Sequence, residues 1–62
     1  MRNKISEEMV TFRAQSGLSQ AKCAKGAGIT IQTWNQIELG RQSPSRVTET
    51  KIRLFMNKGV RA

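Results

Sequence analysis

Helix breakers and helix caps alternate along this chain, and their spacing leaves room for little besides short helices. Glycine stands at positions 17, 28, 40 and 59, and Ser6, Ser19, Thr30 and Ser45 are placed to open the segments between them. A serine or threonine hydroxyl can accept a free amide of the first helical turn. A glycine tolerates the left-handed turn at a helix end. The pattern predicts a first helix over 6–16, a second over 20–27 capped by Ser19, a third capped by Thr30 and running to about Leu39, and a fourth capped by Ser45 and reaching about Lys58. Strand signals are weak, with no tyrosine and no sustained period-two alternation. The expected fold is all-α: four helices in one compact domain over 1–62, with room for a residual C-terminal turn.

Periodicity predicts which faces turn inward. In the first helix Met9, Phe12 and Arg13 share a face, Glu7 and Glu8 sit where the helix dipole favours negative charge, and Ile5 with Val10 is spaced for a hydrophobic staple. Cys23, Ala24 and Ala27 share a face of the second helix, while Gly26 weakens that helix slightly. In the third, Trp34 and Ile37 point inward, and Ile31, Gln32, Asn35 and Gln36 lie together on the opposite face. The inner stripe of the fourth is Ile52, Phe55 and Met56, with Val47 near its start.

Composition excludes much chemistry. There is no histidine and a single cysteine, which removes an internal disulfide, a zinc finger, a Cys-His pair and a Ser-His-Asp triad. The four carboxylates, Glu7, Glu8, Glu38 and Glu49, are not spaced to share a metal or to divide acid and base roles. No enzyme activity, cofactor, metal or small-molecule substrate is therefore expected. The lone Cys23 fits a reducing cytosol. No apolar run approaches the ~20 residues of a membrane span, and the first six residues lack the apolar core of a secretion signal, so a cytoplasmic protein is expected. The net charge of +7, with a sequence pI near 11.0, favours a polyanionic partner. It is uneven: residues 1–40 hold five basic and three acidic groups, and residues 41–62 hold six and one. A solvated basic surface would have the same composition, so charge alone does not decide.

The second and third helices, with a short turn centred on Gly28, match a helix-turn-helix. Two short helices crossing at roughly 90–120° need a small residue at the crossing, which Ala24 supplies. The turn needs a backbone with positive φ, which Gly28 supplies. Cys23, Ala27, Ile29, Trp34 and Ile37 are spaced to pin both helices to a core.

Leu18-Ser19-Gln20, Ala24, Gly28-Ile29-Thr30, Ile37-Glu38, Gly40 and Pro44 together resemble the Cro/repressor type, or lambda-repressor-like, helix-turn-helix family over roughly residues 5–60. The resemblance implies that Thr30 to Leu39 is a recognition helix lying in the major groove. It places Gln32 and Gln36 at base-reading positions and Gln20 near the DNA backbone. Side-chain chemistry agrees, because a glutamine amide can bond adenine N6 and N7 together. Ile31 can sit on a thymine methyl, and Asn35 is a further base-reading candidate. Thr30, Thr33, Arg41, Gln42 and Ser43 suit phosphate contacts, which position without specifying. The resemblance also implies a buried ion pair between Arg13 and Glu38, read as scaffold.

Two positions depart from the family pattern. Trp34 fills a slot usually held by Ile or Val, and Cys23 one usually held by Leu. They face each other in the family, so the small side chain is expected to make room for the large one. Cys23 is read as a small hydrophobe, not a redox sensor. Many relatives add a fifth helix that builds the dimer. The chain as given ends at Ala62, so any dimer contact falls to Phe55, Met56 and Val60, with Phe55 also suited to the core. The leading expectation is a sequence-specific double-stranded DNA-binding regulator, a repressor on a palindromic operator, forming a weak homodimer or a dimer on DNA. The alternative is a protein-interaction module of the same fold that blocks a regulator or toxin. A polar face at Gln32, Asn35 and Gln36 with basic flanks favours DNA.

Overall fold

The computed structural model describes residues 4–59, and among them are four helices and no strand. They are α1 (Lys4–Ser16), α2 (Gln20–Ala27), α3 (Ile31–Glu38) and α4 (Arg46–Gly59). α1 and α2 each pack on both α3 and α4. No helix among the described residues is long and apolar enough to cross a membrane.

Three of the four helix starts follow from local capping. Ser19 accepts the Lys22 amide, Thr30 that of Thr33, and Ser45 that of Thr48. The first helix is different. It begins at Lys4, so Ser6 is not its cap; Ser6 is fully buried and donates its hydroxyl to the Ile37 carbonyl at 2.5 Å. That carbonyl lies in the last turn of α3 and also accepts the Gly40 amide at 2.9 Å, so Ser6 takes its second lone pair. The buried Ser6 hydroxyl has no water to turn to, and this carbonyl gives it an acceptor inside the core. The expected staple between Ile5 and Val10 is absent for the same reason. Ile5 lies inside the helix, not before it, and joins the core.

The core is built from Ile5, Met9 and Phe12 of α1, Cys23, Ala24 and Ala27 of α2, Trp34 and Ile37 of α3, and Ile52 and Met56 of α4. Leu18, Ile29 and Phe55 pack against it. Phe55 meets Phe12 edge-on, with ring centroids 5.3 Å apart and 67° between planes, and meets Trp34 at 6.2 Å and 86°. Such T-shaped pairs set positive ring edges against negative faces. The Phe55 ring lies directly over Gly26, where a Cβ would collide with it. Gly26 is thus more than a weak point in α2, because its missing side chain admits the aromatic cluster. Trp34 and Cys23 are both fully buried in this core.

The expected inward Val47 is 65% exposed. Five residues separate it from Ile52, about 140° around the helix, and the half-buried Thr48 takes the inner position instead. Leu54, seven residues on from Val47, is exposed on the same side. Across the α1–α4 contact Arg53 bonds Glu8 at 2.6 Å and, within α4, Glu49 at 2.8 Å. All three groups are partly exposed to solvent, and such surface pairs contribute little.

Candidate nucleic-acid interface

The turn between α2 and α3 is closed by backbone bonds. Gly28 has φ +78°, and its N–H donates to the Lys25 carbonyl at 3.2 Å while the Ile29 N–H donates to Ala24 at 2.9 Å. A side chain at Gly28 would meet no neighbour, so the left-handed backbone alone calls for glycine there. Thr30 then opens α3 two residues later. Its hydroxyl accepts the Thr33 amide at 3.1 Å and donates to the Thr33 hydroxyl at 2.8 Å, which leaves the Thr33 hydrogen free to donate outward.

α3 spans eight residues, about 12 Å at 1.5 Å per residue, close to the width of a major groove. Trp34 and Ile37 are fully buried on its inner side. On its outer side Ile31 and Gln32 are exposed, and Thr33, Asn35 and Gln36 are half-buried. The side chains of Gln32 and Gln36 bond to nothing among the described residues. Beyond α3 the chain doubles back, with the Arg41 and Gln42 amides donating to the Gln36 carbonyl at 3.0 and 3.3 Å. This holds exposed Arg41, Gln42 and Ser43 beside the end of the helix. Arg41 forms no ion pair among the described residues.

Behind this face lies a buried carboxylate. Glu38 is 5% exposed and accepts four bonds: Arg13 Nε at 2.7 Å and Nη2 at 3.1 Å, Gln20 Nε2 at 2.7 Å and Trp34 Nε1 at 3.1 Å. Burial by itself would push this carboxyl up. The donors from Arg13, Gln20 and Trp34, with the Arg13 charge, outweigh it and hold Glu38 below the usual carboxylate range. Arg13 is raised in turn, chiefly through its hydrogen bond to Glu38. Burial pushes the Cys23 thiol up, so it stays protonated at neutral pH as a small hydrophobe. Every buried side-chain nitrogen and oxygen among the described residues has a partner.

The structure therefore brings Ile31, Gln32, Asn35 and Gln36 onto one face of α3, with Thr30 and Thr33 at its start and Arg41, Gln42 and Ser43 past its end. Gln20 differs from the rest. Both of its amide hydrogens are spent, on Glu38 and on Asn35 Oδ1 at 3.1 Å. Sequence reasoning missed that bond and the Trp34–Glu38 bond. The second could have been found, since Trp34 and Glu38 stand four apart on one helix. Val60, named for a dimer contact, lies outside the described residues. Phe55 and Met56, named with it, are engaged in the core.

A family model described as a helix-turn-helix domain matches residues 5–55. No similar curated protein and no similar solved structure was found. The match takes in α2 and α3 whole and most of α1 and α4, including the capped α2–turn–α3 unit and the Arg13–Glu38 pair behind it. The chain belongs to the helix-turn-helix domain family, which is consistent with its resemblance to the Cro/repressor type.

Proposed function

We propose that this protein is a sequence-specific double-stranded DNA-binding transcriptional regulator that represses from a palindromic operator. The observation that carries this reading is the outer face of α3. Its amides at Gln32 and Gln36 have no partner among the described residues, and an unpaired amide suits the donor-acceptor edge of adenine in the major groove. Ile31, 50% exposed at the start of the same helix, suits a thymine methyl. Thr30, Thr33, Arg41, Gln42 and Ser43 flank these residues and serve the phosphates. The net charge of +7 adds long-range attraction to DNA.

Two copies act together on this reading. With Phe55 and Met56 in the core, the apolar surface left on α4 is Val47 and Leu54, both exposed. Two side chains are a small contact against the ~1,200–2,000 Å² of a stable interface. The free protein is therefore a monomer or a weak dimer, and two copies meet on DNA with half-sites about one helical turn apart.

Selection of bound sequences from a random double-stranded pool tests the reading. An enriched, palindromic site with that spacing is the expected result. Enrichment of a single half-site would remove the palindrome. No enrichment at all, with only salt-sensitive binding to every sequence, would overturn sequence-specific recognition.

A further inference from the structure

A side-chain amide has a donor end and an acceptor end of nearly the same shape, and here a carboxylate decides which end goes where. Ionised Glu38 offers only acceptors. The Gln20 atom 2.7 Å from it must then be the nitrogen Nε2. The same nitrogen lies 3.1 Å from the Asn35 amide, so the Asn35 atom facing it must be the acceptor Oδ1. Asn35 is thereby held by its oxygen, and Nδ2 is the end left unbonded among the described residues. Glu38 is anchored independently by Arg13 and Trp34, so the orientation is imposed from the core outward. Gln20, with both hydrogens spent, has none to give to a phosphate.

We propose that Gln20 and Glu38 are positioning residues that fix the polarity of Asn35, so that Asn35 presents hydrogen-bond donors to DNA and selects an acceptor edge, that of guanine, over cytosine. This rests on the DNA-reading role proposed above. In the major groove guanine shows two acceptors, N7 and O6, whereas cytosine shows only the N4 donor. Asn35 would therefore read differently from Gln32 and Gln36, whose amides are free to turn either end outward.

The first test needs no DNA. In the free protein, NMR exchange of side-chain amide protons should be slower for Gln20 than for Gln32 and Gln36, which bond to nothing among the described residues, and equal rates would overturn the relay. The second test is the random-pool selection repeated with Asn35→Asp and Gln20→Ala. An aspartate at 35 still accepts from Gln20 but turns an acceptor outward. One base pair of the selected site should then change from guanine to cytosine on the same strand, by roughly tenfold or more, with the other positions unchanged. Gln20→Ala should flatten the preference at that same pair. A folded Gln20→Ala protein that keeps the wild-type preference overturns the inference, as does an Asn35→Asp protein with an unchanged site. Asn35 is half-exposed, so its variant keeps the question open to test if Gln20→Ala does not fold. A wild-type protein that selects no sequence would overturn the DNA reading itself, and this inference with it.

Discussion

The two faces of α3 come from the same eight residues and are held by opposite means. On the inner face Trp34 and Ile37 are sealed in the core, and Glu38 accepts four hydrogen bonds from α1, α2 and its own helix. On the outer face the side chains of Gln32 and Gln36 bond to nothing among the described residues. A reading helix benefits from both conditions. Its axis must not move when DNA arrives, since ordering it then would cost affinity. Its reading groups must be unpaired beforehand, since a satisfied amide gains little by exchanging partners. Asn35 stands between the two, half-buried and tied at one end. Substitutions should therefore divide into those that change stability and those that change DNA binding.

The largest effect is expected from Arg13→Ala, which strips two of the four donors from a buried charge. Leaving such a charge without its partner costs about 3–5 kcal/mol in general. The partly solvated Arg13 side chain, 32% exposed, lets water replace some of the loss, so the lower end is expected. The same pair sets an acid limit. Because the folded-state pKa of Glu38 is depressed, its contribution is fully present above the ordinary glutamate value of about 4.3. It is lost as pH falls through the lower folded value. Arg13→Ala should move the onset of acid unfolding to higher pH, and Glu38→Gln should remove Glu38's share of the dependence. Denaturant melts across pH 2–7 check both. An unchanged acid profile in both variants would mean that Glu38 does not couple the inner face to the fold.

The outer face should behave in reverse. Gln36→Ala and Gln32→Ala are expected to cost roughly 1–3 kcal/mol each on the selected operator and little on random DNA. Their melting curves should stay within about 0.5 kcal/mol of the parent. Equal losses on operator and random DNA would move these residues from reading to mere attachment. A loss of stability would show that the outer face braces the fold after all.

Gly26→Ala probes the inner side from behind. Helix propensity favours alanine by about 1 kcal/mol, but its Cβ would drive into the Phe55 ring, and overpacking costs about 1–3 kcal/mol. A net destabilisation near 1 kcal/mol is expected, with a change in Trp34 fluorescence as Phe55 shifts against the indole. Stabilisation would show that the ring swings aside freely.

What the sequence disclosed divides along similar lines. The α2–turn–α3 unit was legible because its signals are local. Ser19, Gly28 and Thr30 act on backbone groups within four residues of themselves. The inward set on α3 was legible from spacing alone. Ser6 was misread because its hydroxyl had two possible partners, and only packing brings the distant one, the Ile37 carbonyl, within reach. Val47 was misread by rotation: counted from Ile52, the inner position is Thr48. Gly26 read as a helix defect because its neighbour Phe55 is remote in sequence. The Arg13–Glu38 contact was expected through family resemblance, whereas the Gln20 link between Glu38 and Asn35 needed three helices in place.

The smallest effect is expected at Arg41, and it tests whether the outer face extends past the helix. Arg41 is exposed, forms no ion pair among the described residues, and has its backbone tied to the Gln36 carbonyl. Its charge is therefore carried beside the reading residues without being part of them. A phosphate contact there should be independent of sequence, because phosphates repeat identically along the duplex. Binding a phosphate releases condensed counterions, and each such contact adds about 0.9 to the slope of log affinity against log salt. Arg41→Ala should lower that slope by about one unit on operator and random DNA alike, and leave the ratio between them unchanged. A titration at several salt concentrations reads both quantities from one series. An unchanged slope with an unchanged ratio would place Arg41 outside the interface and end the outer face at α3. An unchanged slope with an altered ratio would instead make Arg41 a base reader, bonding guanine O6 and N7 as arginine commonly does.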